Sequence, residues 1–518
     1  MTNKDTDRVL VLGLDGATWN ILIPLTFKGI MPNLKDILGK SSWGYLLSTT
    51  PPLSAPAWFS FATGLNPGKT GVIDFFVRRN EKEICLSPLS STLFKGRAIW
   101  DFATALKIYT GVFHYPCLYP PYRIKGFMVS GIGTPREDES ITWPKQLYSE
   151  LLSVICKDKY KLYIGYRNYV NHEKLLMDIL DWLNDYSKAL LYLVRNRPWN
   201  LFIAIVSCTD WVQHALWYVL EKILSSDKKE NSKLYKLMMN FWNSIDKLVG
   251  DIVYNLRKND ILMLVSDHGF GPLKGAFNIS RWLIKHKYMR KTKKSIIINT
   301  AKKILKHLPK SISKKTTEIG KNILKVNTSS IVNYARSKAY TLGHTWSCGG
   351  IYINASDIEE YGKIKRNIIK DLLSYFQGIC KVDVIESRKI YHGEKIKLLP
   401  DLLVSLDDYS YLIIEDLYAD FVCKQCISFN NITGTHRRKG IFLAYGQGVR
   451  ENNFLGDIMI YDVMPTIMHL FNMPIPSNVD GKVLFNLFVK DSEYFLRKPR
   501  YISSHFYLTK LKVLKFKL

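Results

Sequence analysis

The chain has 518 residues, which is enough for two or three domains and for a large hydrophobic core. Hydrophobic residues make up 47% of the chain and charged residues 23%, and these values exclude an intrinsically disordered or collagen-like protein. Lysine and arginine outnumber aspartate and glutamate by 73 to 45, so the net charge is +28. This charge favours anionic partners such as phosphates, nucleic acid or acidic lipid. A general compositional bias explains the same charge, which therefore identifies no partner by itself.

Three short apolar runs predict buried parallel strands, and each run is followed closely by an aspartate. The runs are Val9–Leu14 before Asp15, Leu201–Val206 before Asp210, and Ile261–Val265 before Asp267. Helical patterns over residues 172–194 and 234–257 lie between these strands. Strands that alternate with helices indicate a doubly wound α/β fold, with a mostly parallel central sheet and helices on both faces.

The carboxyl ends of parallel strands meet at one edge of the sheet, where ligands bind in open α/β folds. Asp210 and His214 are four residues apart and share one face of a first helical turn, and His268 directly follows Asp267. Carboxylates and imidazoles are the donors that divalent metals prefer. Each motif alone is common by chance, but their joint position at strand ends predicts a metal site.

A second block, residues 51–71, places Ser54 just before a proline and an apolar, helix-like run. A hydroxyl in this position can lie at a helix N-terminus, where backbone amides favour anions. On this block alone, an ordinary helix N-cap is the preferred interpretation. Residues 64–70 resemble a phosphate-binding P-loop but are one residue short of that motif, which disfavours a nucleoside triphosphatase.

One segment is far more basic than the rest of the chain. Between residues 285 and 325 there are fourteen lysines and arginines and a single acid, Glu318. We interpret the segment as an inserted helical cap, whose basic face is either simply solvated or in peripheral contact with anionic lipid or another polyanion. The predicted boundaries are 1–284 and 336–490 for the core, 285–335 for the cap, and 491–518 for a basic C-terminal tail.

Cysteine usage and hydrophobicity predict the compartment. Eight cysteines, scattered from Cys85 to Cys426, do not form a disulfide framework. Residues 1–8 are polar and contain no hydrophobic signal-peptide core. The longest apolar runs are far shorter than the roughly 20 residues that cross a bilayer. The sequence therefore predicts a cytoplasmic protein without a transmembrane segment.

Five motifs, in one order, resemble the alkaline phosphatase superfamily and most closely its type I phosphodiesterase/nucleotide pyrophosphatase branch. The motifs are Leu-Gly-Leu-Asp15-Gly, Ser54-Ala-Pro with Thr63-Gly64-x-x-Pro67-x-x-x-Gly71, Asp210-x-x-x-His214, Ser266-Asp267-His268-Gly269, and Gly434-Thr-His436. The resemblance covers residues 9–485 and implies an alkaline phosphatase-like fold.

The resemblance also implies two divalent metal ions. One ion would be held by Asp210, His214 and His436, and the other by Asp15, Asp267, His268 and the Ser54 oxygen. Ser54 would be the nucleophile, activated by the bound charge, and would form a covalent phosphoserine. Imidazole ligands favour zinc, although manganese or iron can occupy the same donors.

Two departures from the family concern the substrate. The family usually carries threonine as its nucleophile where this chain has Ser54. It also places an asparagine, which binds a phosphoryl oxygen, at the position of Phe75. Lys69, Arg437 and Arg438 are the remaining candidates for that phosphate contact.

The resemblance thus implies a metal-dependent phosphoric ester hydrolase that acts on a diester, a pyrophosphate or another small nucleotide-like substrate. A phosphomonoesterase, a phosphomutase, or a phosphotransferase acting on a lipid or glycan would use the same site. A non-catalytic anion-binding scaffold is a distant alternative. A sulfatase is disfavoured because Trp58 stands where the C/S-x-P-x-R motif of sulfatases requires arginine.

Overall fold

The computed structural model describes residues 8–81, 83–225, 232–292, 331–343, 346–417 and 421–513. These residues form two compact units. Unit 1 contains the described residues up to Val77, Pro88–Leu273, and those from Ser428 onward. Unit 2 contains Arg78–Ser87 and the described part of Lys274–Ile427.

Most of the predicted cap lies outside the described residues, which omit 293–330. The described parts of the segment, 285–292 and 331–335, belong to unit 2. The cap, its amphipathic helix and its contact with a polyanion therefore stay predictions.

The structure contains strands and helices throughout both units. In chain order the strands are β1 (Val9–Leu14), β2 (Ser41–Leu47), β3 (Phe76–Arg78), β4 (Leu86–Pro88), β5 (Thr110–Tyr115), β6 (Gly126–Ser130), β7 (Thr142–Trp143), β8 (Leu201–Val206), β9 (Ile261–Val265), β10 (Gly269–Pro272), β11 (Gly275–Asn278), β12 (Ala339–Tyr340), β13 (Gly349–Ile353), β14 (Val382–Glu386), β15 (Leu402–Leu406), β16 (Tyr411–Ile414), β17 (Cys423–Gln425), β18 (Gly434–Arg437), β19 (Lys439–Gly446), β20 (Asn453–Met459), β21 (Ile475–Pro476) and β22 (Tyr501–Ile502). The helices are α1 (Trp19–Phe27), α2 (Pro32–Leu38), α3 (Ser54–Thr63), α4 (Pro67–Thr70), α5 (Ile99–Ala105), α6 (Leu147–Ile155), α7 (His172–Asn196), α8 (Cys208–Ser225), α9 (Lys233–Asn255), α10 (Ile279–Lys285), α11 (Ile358–Phe376), α12 (Ser387–Ile390), α13 (Val463–Leu470), α14 (Glu493–Leu496) and α15 (His505–Val513).

The central sheet of unit 1 has nine strands among the described residues, in the order β20-β2-β19-β9-β1-β8-β5-β6-β7. The strands β9, β1, β8, β5 and β6 are parallel neighbours. Strand β19 runs antiparallel to both β2 and β9, and β7 runs antiparallel to β6. The predicted α/β fold with a mostly parallel sheet is confirmed.

Alternate side chains of β1 enter two hydrophobic layers, one on each face of the sheet. Leu10, Leu12 and Leu14 pack in the layer that contains helices α7, α8 and α9. Val9 and Val11 pack in the layer that contains α3, α5 and α13. Because the sheet is covered on both faces, β1 is apolar along its whole length rather than alternating.

Helices α7 and α9 show why the sequence forms long helices in unit 1. Their buried residues recur every three or four positions, which is the period of one helical face. The Asn171 side chain accepts the backbone N–H of Lys174, and the Ser232 side chain accepts that of Tyr235. These caps satisfy amides that have no partner within the helix.

Unit 2 is built on two small sheets, with strand orders β16-β11-β17 and β12-β13-β15-β14. Helix α11 buries Ile364, Ile368, Leu372 and Phe376 at helical spacing in the core of this unit. Strand β15 contributes Leu402, Val404 and Leu406 to the same core. No helix among the residues that the structure describes is long and apolar enough to cross a membrane.

Candidate active site

The three strands that the apolar runs predicted lie side by side in unit 1, in the order β9-β1-β8. Gly13 of β1 is in register with Ile205 of β8 and Val265 of β9. The residues that follow these strands therefore emerge at one edge of the sheet. The structure brings together there all seven side chains assigned by resemblance: Asp15, Ser54, Asp210, His214, Asp267, His268 and His436.

Gly16 shapes the turn that follows β1. It has a positive φ of 67°, and a Cβ at this position would lie 2.8 Å from the ring of Phe270. The Gly16 N–H donates to Asp267 Oδ1 at 3.0 Å, and its carbonyl accepts from Gln213 Nε2 at 2.9 Å. A glycine is needed here because an L side chain would be strained and crowded. The turn thus connects Asp267 to helix α8.

His436 comes from a part of the chain far from the other ligand candidates in sequence. Strand β18 pairs antiparallel with β10, and this pairing places His436 opposite Phe270. His436 is stacked on His268, with their ring centroids 3.7 Å apart. A short two-stranded ladder therefore delivers the third histidine to the site.

One group of donor atoms consists of Asp210, His214 and His436. The Nε2 atoms of His214 and His436 are 2.9 Å apart. Asp210 Oδ1 lies 3.4 Å from the first of these nitrogens and 3.3 Å from the second. These three side chains are the set that the resemblance implies for one metal ion.

A second group consists of Asp15, Asp267 and His268, whose donor atoms all lie within 4.8 Å of one another. His268 Nε2 is 3.3 Å from Asp267 Oδ2 and 3.7 Å from Asp15 Oδ1. The same nitrogen is 4.0 Å from Asp210 Oδ1, so His268 lies between the two groups.

Backbone carbonyls orient all three imidazoles. His214 Nδ1 lies 3.0 Å from the carbonyl of Gly434, His436 Nδ1 lies 2.9 Å from that of Pro52, and His268 Nδ1 lies 3.1 Å from that of Gly269. A ring nitrogen that faces a carbonyl oxygen carries the proton and donates it. The other ring nitrogen, here Nε2, is then unprotonated and presents its lone pair. Two such lone pairs at 2.9 Å repel each other unless a cation lies between them.

Two carboxylate oxygens add to this requirement for positive charge. Asp210 Oδ1 and Asp267 Oδ2 are buried, and no donor among the described residues forms a hydrogen bond with either oxygen. An unsatisfied buried carboxylate oxygen is costly, and carboxylate and imidazole donors are those that zinc and similar ions use. The donor set therefore fits two divalent metal ions.

Burial and neighbouring charges shift the pKa values of the three aspartates in the site. Burial, followed by the charges of Asp267 and Asp210, raises the pKa of Asp15 well above its ordinary value. Burial also raises the pKa of Asp267 to about 6. Burial alone would raise the pKa of Asp210 as well, but His214 and His436, in their protonated forms, outweigh it and lower that pKa. The three carboxylates lie close together, and their ionised forms repel one another unless a cation binds.

Ser54 is the first residue of α3 and is almost fully buried. Its Oγ lies 3.3 Å from His268 Nε2 and 3.4 Å from Asp15 Oδ1. The N-cap residue of the helix is Leu53, and no side chain caps it. The N-cap interpretation of Ser54 is therefore wrong, and its hydroxyl faces the second group of donors instead.

Trp58, one turn further along α3, is a site residue that the sequence reasoning missed. Its indole Nε1 donates to Asp15 Oδ2 at 3.3 Å. Tyr115 donates its hydroxyl to the Trp58 carbonyl at 2.6 Å. A Cβ on Gly13 would lie 2.5 Å from the Trp58 ring, so a glycine in β1 makes room for the indole. Trp58 lies four residues after Ser54, about one helical turn, and this spacing was the sequence pattern that could have predicted its place beside the site.

An aromatic segment also borders the site. The ring of Tyr166 is stacked on that of His214 at 5.6 Å, with an interplanar angle of 4°. Tyr163 packs edge-on against Trp211 at 5.1 Å and remains 43% exposed. The sequence reasoning missed these tyrosines because nothing local links residues 160–168 to a helix that begins some 40 residues later.

The structure gives other partners to Lys69, a candidate for the phosphate contact. Its ammonium lies 2.7 Å from both Asp480 Oδ1 and the carbonyl of Asn478. Phe75 is half-buried against the second hydrophobic layer, and its backbone N–H donates to Asp74.

Arg437 is likewise engaged with the backbone. Its guanidinium donates to the carbonyls of Thr435, His436 and Pro272. These bonds hold β18 beside β10. Arg438 is partly buried, and its Nε forms no hydrogen bond within the part of the chain that the structure describes.

Comparison with known proteins agrees with this architecture. The model of the type I phosphodiesterase/nucleotide pyrophosphatase family matches residues 9–367, which include every candidate ligand except His436. The fold is similar to that of murine ectonucleotide pyrophosphatase/phosphodiesterase 5, with a TM-score of 0.50 and 14% sequence identity, over 92% of this chain and 98% of that chain. A structure of an inactive variant of the murine protein in complex with AMP gives a TM-score of 0.51 at the same identity, over 92% and 97% of the two chains. Curated protein sequences yield no match. The chain therefore belongs to the type I phosphodiesterase/nucleotide pyrophosphatase family and is a phosphoester hydrolase.

Proposed function

We propose that the chain is a metal-dependent phosphodiesterase or nucleotide pyrophosphatase that uses Ser54 as its nucleophile. The observation that carries this proposal is the position of Ser54 Oγ, 3.3 Å from His268 Nε2 and 3.4 Å from Asp15 Oδ1. The hydroxyl lies at the N-terminus of a ten-residue helix. A nucleophile beside a cluster of metal donors and beside helix amides suits attack on a phosphate ester.

We assign the donors as the resemblance implies. Asp210, His214 and His436 would hold one ion, and Asp15, Asp267, His268 and Ser54 would hold the other. When bound, the two ions would supply positive charge that lowers the pKa of the serine hydroxyl and stabilises the attacking and leaving oxygens. The imidazoles favour zinc, and manganese or iron can use the same donors.

The protein residues have separate roles in this reaction. Ser54 Oγ attacks phosphorus in line with the leaving oxygen, whose bond to phosphorus breaks. The product of this step is a phosphoryl group on Ser54 that, with a diester substrate, still carries one ester. Water then attacks phosphorus and releases Ser54. The first two backbone amides of α3, those of Ser54 and Ala55, precede the first helical hydrogen bond and can bind a phosphoryl oxygen.

Trp58 would act as a positioning residue. Because its indole donates to Asp15 Oδ2, the other oxygen of that carboxylate stays directed at Ser54. Orientation of a ligand by an outer hydrogen bond commonly changes activity by about 10- to 100-fold.

Two observations support a nucleotide-like substrate. A structure with this fold is an inactive variant in complex with AMP. In this chain the exposed face of Tyr163 lies in the aromatic segment that borders His214 and Trp211. Aromatic faces stack on nucleobases without strong sequence preference.

A phosphomonoesterase, a phosphomutase, or a phosphotransferase for a lipid or glycan is the second candidate. Phe75 favours it, because the family asparagine that contacts a phosphoryl oxygen has no counterpart here. Lys69 and Arg437 form other contacts and do not replace it in this structure. The same nucleophile and the same ligands would serve these reactions.

Hydrolysis of bis-p-nitrophenyl phosphate against p-nitrophenyl phosphate, with zinc, manganese or iron, tests the proposal. We expect the diester to be the better substrate and Ser54→Ala to lose about 10³-fold or more of the activity. Ser60→Ala is a matched control, since Ser60 lies on the same buried helix and its Oγ has no hydrogen-bond partner. A preference for the monoester would favour the second candidate, and an active Ser54→Ala variant would exclude the assigned nucleophile.

A further inference from the structure

Unit 2 contains a cavity of about 300 Å³, a volume typical of small-molecule sites. Its lining includes two stacked tyrosines, Tyr340 and Tyr352, whose ring centroids are 5.6 Å apart. The Tyr352 hydroxyl donates to the carbonyl of Leu398 at 3.3 Å. One wall of the cavity is therefore a fixed aromatic surface.

A buried guanidinium lies beside this wall. Arg78 is only 9% exposed, and its Cζ lies 5.2 Å from the centroid of the Tyr352 ring. Its Nε donates to the carbonyl of Glu83 at 2.8 Å, and its Nη2 donates to the carbonyl of Glu81. Among the described residues no carboxylate forms an ion pair with Arg78. These neutral carbonyls accept two of the guanidinium N–H groups but supply no negative charge, and Asp401, which offsets the charge in part, lies beyond ion-pair distance.

Asp401, one of the two carboxylates that line the cavity, already accepts two hydrogen bonds. Asp401 accepts the Tyr361 hydroxyl at 2.9 Å and the backbone N–H of Ile353 at 2.8 Å. Within the described part of the chain no cation lies in ion-pair distance of Asp401.

A second guanidinium lines the cavity from helix α12. Arg388 is exposed and lines the cavity together with Asp401 and Tyr361. No carboxylate among the described residues pairs with it. Lys397 also lines the cavity, but its ammonium is exposed and lies 3.9 Å from Glu81. Such a surface pair contributes little.

The lining thus has three cations, Arg78, Arg388 and Lys397, against two anions, Glu81 and Asp401, for a net charge of +1. Two of the cations are guanidiniums, whose planar N–H forks match the oxygens of a phosphate group. We propose that this cavity binds the phosphoryl group of a small molecule, held between Arg78 and Arg388, with the rest of the ligand against the tyrosine wall. The proposal is independent of the function of the Ser54 site.

Protection from an arginine-specific reagent tests the location. Phenylglyoxal modifies exposed guanidiniums, and mass spectrometry of peptides reports each site. In the metal-loaded full chain we expect inorganic phosphate and glycerol 3-phosphate to slow modification of Arg388 at least tenfold. Arg366, an exposed arginine of the same unit that does not line the cavity, should react at an unchanged rate. The more protective of the two probes shows whether the ligand is an ester or the free anion.

Calorimetry with inorganic phosphate tests the residues. We expect Arg388→Gln to lose one binding event, and Lys389→Gln, at an exposed neighbour that pairs with Glu386 and does not line the cavity, to keep it. A phosphate bound at the Ser54 site would appear as a separate event in both variants. If the Ser54 site does not bind phosphate, only that separate event will be missing. The event assigned to the cavity will still be present in the wild type.

Three results would overturn the proposal. The first is equal protection of Arg388 and Arg366 by phosphate. The second is equal protection of Arg388 by chloride at matched ionic strength. The third is an unchanged number of phosphate-binding events in Arg388→Gln.

Discussion

At the scale of single residues, the site depends on hydrogen bonds that orient its ligands. Trp58 donates to Asp15, and backbone carbonyls hold the Nδ1 atoms of the three histidines. These contacts leave one Asp15 oxygen and three Nε2 atoms directed into the site. The arrangement therefore presents donors before any ion binds, which reduces the cost of ordering them.

Trp58→Phe should separate this orientation from packing. Phenylalanine keeps an aromatic ring but removes the N–H that reaches Asp15. We expect kcat/KM to fall about 10- to 100-fold, and the zinc affinity measured by chelator competition to fall in the same range. Phe61→Leu, on the same buried helix and in edge contact with Trp58, is the control for packing alone. Wild-type zinc affinity in Trp58→Phe would contradict the positioning role.

Gly13→Ala, a substitution in strand β1, tests the same contact between Trp58 and Asp15. The added methyl group would meet the Trp58 ring and the Ile205 side chain at 2.5 Å each. Overpacking of this kind costs roughly 1–3 kcal/mol of stability. We expect a lower midpoint of thermal unfolding and weaker zinc binding, because the indole must move away from Asp15. An unchanged midpoint would show that the helix adapts without strain.

At the scale of elements, the strand ends were the most predictable feature. The runs before Asp15, Asp210 and Asp267 are β1, β8 and β9, and they are adjacent in the sheet. These strands could be predicted because continuous apolar runs identify strands that are buried on both faces. The position of His436 was implied only by resemblance, since it depends on the pairing of β18 with β10, which are more than 160 residues apart.

Other contacts near the site join residues that are far apart in the sequence. Lys69 pairs with Asp480, and Arg437 donates to the carbonyl of Pro272, both far away in the sequence, so these contacts could not be predicted from neighbouring residues. The division into units could not be predicted either. Arg78–Ser87 belongs to unit 2, although almost 190 residues separate it from the rest of that unit. Local periodicity predicts elements, whereas such associations follow from tertiary packing.

Strand β5 carries a buried histidine that should make stability depend on pH. Burial lowers the pKa of His114 to about 3, from an ordinary value of 6.5. Between these values the unfolded chain binds a proton that the folded chain does not, so stability present above pH 6.5 is lost as the pH falls. The loss should be about 1.4 kcal/mol per pH unit for this one group.

His114→Asn should remove that contribution. Asparagine tolerates the positive φ of 57° at this position but does not titrate. Denaturant unfolding at pH 7 and pH 5 gives the difference in the free energy of unfolding, which should be smaller in the variant. His505→Asn, at an exposed histidine, should keep the wild-type difference. Equal differences in all three proteins would contradict a neutral buried His114.

At the scale of the whole molecule, we expect the candidate metal donors to couple folding to metal binding. Asp15 and Asp267 have raised pKa values because they are buried close to other carboxylates. In the metal-free chain, the stability that protonated Asp267 contributes is present at low pH and is lost as the pH rises through about 6. Ions that bind only the folded state stabilise it by about 2.7 kcal/mol at 100 times their dissociation constant.

Asp267→Asn should therefore have opposite effects with and without zinc. At pH 8 the neutral amide relieves repulsion, so the metal-free variant should be more stable than the metal-free wild type by up to about 3 kcal/mol. With zinc the variant should be the less stable protein, because one ligand is lost. Thermal unfolding in chelator and in excess zinc measures both. A variant that is less stable in both conditions would contradict the electrostatic account.

In the proposed mechanism, Ser54 becomes covalently linked to phosphorus during turnover. Acid quenching of the metal-loaded enzyme during hydrolysis of bis-p-nitrophenyl phosphate, followed by peptide mass spectrometry, tests it directly. We predict a phosphoryl adduct on Ser54 that is absent from Ser54→Ala and that disappears once the substrate is exhausted. Turnover without an adduct on Ser54, or an adduct on another residue of an active Ser54→Ala variant, would contradict the assigned nucleophile.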